Sequence, residues 1–578
     1  MIRIYRHNYR SLLLYAAFIL LFLQCKTLAQ DNAAKIGEVL SLAHKYGQFN
    51  GAALVAENGK VIYKNGFGMA NMEWDIPNTT ETKFRLGSIT KQFTAMLTLQ
   101  LVEQGKLTLD GKVSDYLPDY RQDVGQKVTI HHLLTHTSGI PSYTGLPGFR
   151  EDVSRNQYKV ADFVKKYASR DLEFEPGAKF SYNNSGYFLL GAIIEKVTGK
   201  SYEQALKESI LDPLGMKSTG YDHYDTLLPK RASGYVKGPR GYTNAPYLDM
   251  SIPYAAGSMY STVEDLFLWD QALYTDKLLS AKSEELMFKP FMDNYAYGWV
   301  VKSAPFKFNN EPVQLITHGG GINGFNTTIV RFVGQKNLIV LLDNTSQGRY
   351  LDGISGVVAK ILYQQPYELP KMSGADVLLK IINEKGVAAG ITQYRELKTK
   401  QSGTHDFGVG EINRLGYQLL RTEKVKEAIE IFKLNVETYP AFNTYDSLGE
   451  AYMVSGERDM AVQNYRKSLD LNPQNTNAVE KLKRLESKPA TIDPKIYDTY
   501  VGEYQMTPNL VVAVFKEGDK LMTQATGQPK LELFPESETI FLLRVVNAKV
   551  TFVRDSLGQV TGIVIHQGGR DTPGKKIK

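Results

Sequence analysis

Ser88-Ile89-Thr90-Lys91 sets a hydroxyl and an amine three residues apart, a spacing that puts both on one face of a helix and within reach of each other. A free serine hydroxyl is barely nucleophilic at neutral pH and needs a base beside it. A lysine withdrawn from water has its ammonium form disfavoured, so its amine becomes free to take that proton. A helix start also favours developing negative charge. Alone, the tetrapeptide is equally the start of a surface helix with a solvated lysine, so its meaning depends on what else the chain supplies.

Two further segments supply it. Tyr182-Asn183-Asn184 follows the Pro176-Gly177 turn and precedes a helical pattern; it offers a phenol for proton transfer and a carboxamide for substrate hydrogen bonds. His318-Gly319-Gly320-Gly321 follows an apolar pair, and consecutive glycines let a substrate lie against a strand edge whose amides donate to it. His132 and His136 stand four apart on an expected helix, a zinc-compatible spacing. No glutamate follows His132 and no third ligand is evident, so both are read as structural. No P-loop or dinucleotide fingerprint is found, and no cofactor or metal is implied.

The positioning elements are legible from periodicity. Residues 88–104 carry Phe93, Met96, Leu97, Leu101 and Val102 at helical spacing and stop at Gly105. Residues 187–197 form a second helix ended by Gly199, and Ser261-Thr262-Val263-Glu264 reads as a capping box opening a third. Residues 51–68 form a hairpin turning at Asn58-Gly59, and residues 329–342 form another turning at Gly334-Gln335. Early and late strands around a helical middle predict an α+β unit, an antiparallel sheet with helices packed on it.

Ser88-x-x-Lys91, Tyr182-x-Asn184 and His318-x-Gly320, in that order and 94 and 136 residues apart, resemble the three motifs of the serine β-lactamase and penicillin-binding-protein superfamily. Residues 86–94, His132 to Gly139 and Tyr297-Gly298-Trp299 are similar to its class C-related branch. The resemblance covers residues 35–365 and implies a helical subdomain joined to a five-stranded antiparallel sheet, with the site between them. It makes Ser88 the nucleophile, Lys91 or Tyr182 the base, and Asn184, His318 and Gly320 substrate-binding. The Ser88 and Gly321 amides become the oxyanion hole. His318 stands where most lactamases have lysine, which points away from efficient β-lactam hydrolysis and toward a D-peptidase or an esterase-like relative.

At 578 residues the chain exceeds one core. With 43% hydrophobic and 22% charged residues it is folded rather than disordered. The net charge of +7 is dispersed, 68 basic residues among 61 acidic ones without a like-charge run, which argues against a nucleic-acid surface. Arg3, Arg6 and Arg10, the apolar run 12–23 and Thr27-Leu28-Ala29 read as a signal peptide over residues 1–29, too short to span a membrane. Cys25, the single cysteine, lies within it, so disulfides and a thiol nucleophile are excluded. The alternative use of Cys25 is lipid attachment, for which Gln24 is a poor preceding residue.

The expected layout is a catalytic domain over 33–365, helical repeats over 375–487 and a small all-β module over 494–578. In the middle region Leu415-Gly416, Ala428, Phe432 and Pro440 are answered 33 residues later by Leu448-Gly449, Ala461, Tyr465 and Pro473, a pattern that resembles the tetratricopeptide repeat. Helices at 375–384 and 478–485 would cap it. The reading is an exported, periplasmic or secreted, serine hydrolase that forms a Ser88 acyl-enzyme and cleaves an amide or ester. A D-amino-acid peptide is the leading substrate and a small ester the second. Alternatives are a weak class C-like β-lactamase, or an idle peptide-binding protein whose repeats recruit a protein partner.

Overall fold

The computed structural model describes residues 31–578, apart from 147, 150–151, 239–240, 401–402, 487–489, 491, 508–509, 529, 544–547 and 568–569. The signal-peptide reading, Cys25 included, falls outside them. The chain divides into two compact units, one ending at Pro370 and one running from Lys371 to Lys578. No helix among the described residues is long and apolar enough to cross a membrane.

The first unit is built on an antiparallel sheet of six strands: β1 (Gly51–Glu57), β2 (Lys60–Phe67), β3 (Val300–Phe308), β4 (Glu311–Ile322), β5 (Phe325–Phe332) and β6 (Asn337–Asp343), in the spatial order β3-β4-β5-β6-β1-β2. This corrects the five-strand expectation. Asn309 and Asn310 both hold positive φ, 51° and 65°, and turn the chain from β3 into β4 as the tight turn at Asn58-Gly59 does between β1 and β2. Side chains alternate across β1. Ala52, Leu54 and Ala56 join Phe93, Leu266 and Trp269 in one core; Ala53 and Val55 join Ile36, Val39, Val358 and Ile361 in the other. The sheet is therefore covered on both faces.

Helix α1 (Thr90–Glu103) enters through a 3-10 turn at Gly87–Ile89. Phe93 stacks on Trp269 at 4.3 Å, and the Trp269 indole N–H donates to Gln92 Oε1 at 3.0 Å, fixing the rotation of α1. Helix α2 spans only Ile130–Leu134, and α3 spans Asn184–Thr198, ending at Gly199 with φ 69°. The third expected helix is present as α4 (Val263–Ala272), but its N-cap is Thr262, whose hydroxyl accepts from the Asp265 N–H. The N-cap therefore lies one residue later than Ser261 suggested, as a single side-chain cap in place of the expected box, because Ser261 pairs with Phe84 in a short sheet.

Among the described residues the second unit holds seven helices of ten residues or more, followed by a closed eight-stranded barrel. Val409–Arg421 packs on Val425–Thr438 through Gly416, where a Cβ would lie 2.5 Å from the Phe432 ring. Phe442–Ser455 packs on Arg458–Leu471 through Gly449 against Tyr465. Helices Gly374–Lys385 and Thr476–Leu485 stand where capping helices were expected; Val387–Lys400 was not anticipated. The barrel interior is filled by Tyr500, Tyr504, Leu533, Phe541, Phe552 and their neighbours. Three of its strands, Gly502–Thr507, Lys520–Ala525 and Arg570–Lys576, lack the apolar runs that marked the others.

Candidate active site

Ser88 sits half-buried in the 3-10 turn that opens α1. One helical turn on, the Lys91 side chain is fully buried. Its Nζ lies 3.1 Å from Ser88 Oγ, 2.8 Å from Asn184 Oδ1 and 2.9 Å from the Ala256 carbonyl oxygen. Burial holds the Lys91 ammonium well below its ordinary pKa. A neutral amine has two N–H groups and one lone pair. Asn184 and Ala256 take the two hydrogens, which leaves the lone pair facing the Ser88 hydroxyl. The geometry thus suits the deprotonated amine.

Asn183 caps α3: its side chain accepts from the Gly186 N–H at 2.8 Å and donates to the Ile140 carbonyl. That cap places Tyr182 and Asn184 on either side of the helix start. The Tyr182 ring centroid is 4.9 Å from Lys91 Nζ. Its surface is 40% exposed, yet protein crowds the hydroxyl enough for burial to push the phenol up, an effect that hydrogen bonding with Ser88 partly offsets. Tyr182 is therefore protonated at neutral pH. Asn184 Nδ2 donates to Thr144 Oγ1 at 3.3 Å, so the carboxamide is held at both ends.

On the opposite wall, β4 carries His318 to Gly321. A Cβ on Gly320 would fall 1.9 Å from the Leu86 carbonyl oxygen and 2.3 Å from Thr327 Oγ1. Only glycine lets the strand approach the turn that carries Ser88. Thr327 of β5 ties the same carbonyl, its hydroxyl donating at 2.7 Å. Gly298, φ 77°, approaches α1 with equal intimacy, since a Cβ there would be 2.8 Å from the Lys91 carbonyl oxygen. His318 is buried. Its Nδ1 lies 2.6 Å from the Gly319 carbonyl and its Nε2 3.1 Å from the Tyr295 hydroxyl. The carbonyl can only accept, so Nδ1 carries the hydrogen and Nε2 accepts from Tyr295. Burial, helped by the nearby Lys91, lowers His318 to about 4, so it is neutral at pH 7.

Between these walls lies a cleft of 680 Å³ with Ser88, Asn184 and Gly321 on its surface and Tyr143, Phe149, Tyr247, Ile252 and Phe325 around them. Among the described residues lining it, Arg155 carries the only positive charge and no carboxylate is present.

Residues 36–360, more than half the chain, match the beta-lactamase family model. The chain belongs to the beta-lactamase family. Residues 486–576 match a domain of unknown function, DUF3471. The chain is similar to penicillin-binding protein 4* of Bacillus subtilis, 28% identical over 560 residues that cover 92% of this chain and 96% of the relative. It is 33% identical to the putative penicillin-binding protein PbpX of Bacillus subtilis over 320 residues, 55% of this chain and 76% of that one. The crystal structure of FmtA from Staphylococcus aureus superposes with a TM-score of 0.50 at 26% identity, covering 58% of this chain and 90% of FmtA.

In this beta-lactamase-family site the structure brings Ser88, Lys91, Tyr182 and Asn184 together, and packs Gly320 and Gly321 of β4 against the turn that carries Ser88. His318 faces Tyr295 and its own strand, with both ring nitrogens engaged inside the protein. The two histidines expected on one helix do not share it. His132 closes the cap of α2, Nδ1 accepting from the Thr129 N–H at 3.2 Å, whereas His136 lies beyond α2 with φ 57°. Sequence reasoning missed Ala256, whose carbonyl binds Lys91, and Tyr295. The first contributes only backbone and carries no sequence signal. The second stands two residues before the recognised Tyr297-Gly298-Trp299 and could have been included with it.

Proposed function

We propose that this beta-lactamase-family protein is an exported serine hydrolase that passes an acyl group through Ser88, with Lys91 as base and Tyr182 as proton donor. The observation that carries this reading is the buried Lys91 amine 3.1 Å from Ser88 Oγ with its other hydrogen-bonding directions filled. As Oγ attacks the substrate carbonyl, its proton passes to the amine, and the oxyanion forms against the amides of Ser88 and Gly321. Tyr182, held protonated by burial, gives its proton to the departing amine or alcohol and regains one from the Lys91 ammonium. Water then cleaves the ester to Ser88 and restores the hydroxyl.

The leading substrate is a D-amino-acid peptide, and a small ester is second. A neutral, internally bonded His318 offers no cation to a substrate carboxylate on the β4 wall, which disfavours the class C-like β-lactamase alternative and, among D-amino-acid peptides, favours those without a free carboxylate there. For the helices over 409–471 the tetratricopeptide reading is supported by the repeated glycine-on-aromatic contact, Gly416 with Phe432 and Gly449 with Tyr465, and such pairs suit a peptide or protein partner. Residues 1–29 carry the expected export signal.

Intact mass after exposure to a fluorophosphonate, nitrocefin, a chromogenic ester and a D-Ala-D-Ala peptide tests the reading. The wild type gains one acyl or phosphonyl group and Ser88→Ala gains none. A wild type left unmodified by every serine-directed probe would overturn it in favour of the peptide-binding alternative.

A further inference from the structure

His136 lies behind the site on a buried segment that the mechanism leaves unused. Residues 135–138 are each at least 96% buried. The segment receives the chain leading to Tyr182 through a row of backbone hydrogen bonds: Glu173 N–H to the Gly139 carbonyl at 2.8 Å and Gly177 N–H to the Thr137 carbonyl at 2.8 Å. The last two contacts are both to His136. Its carbonyl accepts from the Ser181 N–H at 2.9 Å, and its ring Nδ1 accepts from the Asn183 N–H at 3.0 Å. Those partners flank Tyr182 in sequence, and the His136 ring itself packs on the Tyr182 ring at a centroid distance of 4.3 Å. One residue therefore holds the main chain on both sides of the phenol and the phenol itself.

Two features at His136 are costly unless the position requires them. Its backbone adopts φ 57°, a left-handed conformation uncommon for non-glycine residues. With Nδ1 accepting, the ring hydrogen is on Nε2, and Nε2 is buried without a hydrogen-bond partner. It is surrounded by the rings of Tyr182, Tyr187 and Tyr295, with centroids 4.3, 5.1 and 4.5 Å from its own. Strain and an unpaired polar atom together at one site point to a role beyond filling space.

We propose that His136 is a positioning residue that fixes Tyr182 over Ser88 and Lys91 by clamping the backbone at Ser181 and Asn183. This rests on the hydrolase reading above. The acceptor at Nδ1 sets the direction of the Asn183 N–H, and hence where Tyr182 leaves the chain before α3 begins. The ring wall stops the phenol from rotating back into the protein.

Two substitutions separate these contributions from folding. His136→Asn sets a carboxamide oxygen near the place of Nδ1 and tolerates positive φ; His136→Phe keeps a ring but has no acceptor. With p-nitrophenyl acetate as probe, His136→Phe is expected to lose kcat by about tenfold or more with KM within about twofold, because small displacements of a reacting group cost that much. His136→Asn stays within about threefold of wild type. Losses in both variants that merely follow the folded fraction in thermal melts overturn the proposal, as does wild-type kcat in His136→Phe. A wild type inert to the ester and unlabelled by a fluorophosphonate defeats the hydrolase reading instead. The clamp is then judged on a crystal structure of His136→Phe, where a Tyr182 hydroxyl displaced by about 1 Å or more supports it and an unmoved one overturns it.

Discussion

Gly87 and Gly321 touch: a Cβ on Gly87 would stand 2.9 Å from the Gly321 amide nitrogen. The residue before the nucleophile thus rests on the strand that faces it, and Gly87 also holds φ 56°. Gly87→Ala should separate the Ser88 turn from β4 and cost about 1–3 kcal/mol of stability by overpacking. A melting temperature lowered by several degrees, together with slower fluorophosphonate labelling, is the expected result.

The neighbouring glycines are not equivalent. Gly320→Ala would drive its Cβ into the Leu86 carbonyl, whereas a Cβ on Gly319 meets nothing nearer than the Thr327 carbonyl oxygen at 3.6 Å. Gly320→Ala should therefore lose both stability and labelling, and Gly319→Ala should retain both within about 0.5 kcal/mol. Parallel melts and labelling time courses check the contrast.

Lys91→Met and Lys91→Arg divide base chemistry from packing. Methionine fills the buried channel without a charge, so the fold should hold while turnover falls by about 10³-fold or more. Arginine stays charged and cannot accept the serine proton, so it should lose turnover equally and melt lower, an uncompensated buried cation being costly. Turnover of a chromogenic ester and thermal melts report the two effects. In the wild type, burial lowers the Lys91 pKa, so activity should rise with pH through that depressed value and be lost below it, as the amine protonates.

The histidine contribution to stability should fall as pH drops from about 6.5 to about 4, opposed over the same range by Asp343, which burial raises to about 7. His318 is held down to about 4 by burial, and burial also lowers His131, His132 and His136. In that window the unfolded chain binds protons at these histidines that the native state refuses, so their titration favours unfolding in acid. The His318 share is about 3 kcal/mol. His318→Gln should flatten the dependence of melting temperature on pH over this range.

Much of the catalytic unit is legible in the sequence. The helix that carries Lys91, the turn at Asn58-Gly59 and the ends at Gly105 and Gly199 follow from periodicity and glycine chemistry. The meeting of Ser88, Lys91, Tyr182 and Asn184 required the family resemblance, because residues 94 apart in sequence carry no local sign of contact. Less was legible where backbone does the binding: Ala256 holds Lys91 by a carbonyl that any residue would offer. The sixth strand of the sheet was hidden because β3 is half exposed and carries Lys302, Pro305 and Lys307 in place of an apolar run. The barrel strand Arg570–Lys576 escaped notice for the same reason, being polar throughout except for Pro573 and Gly574.

That last strand matters more than its composition suggests. By pairing with Gly502–Thr507 it closes the barrel, and closure removes the two open borders that a sheet otherwise exposes. A guest peptide cannot be taken up there by lending it a ladder of main-chain amides. Any molecule that docks on this module must be recognised through its outward-facing side chains and loops.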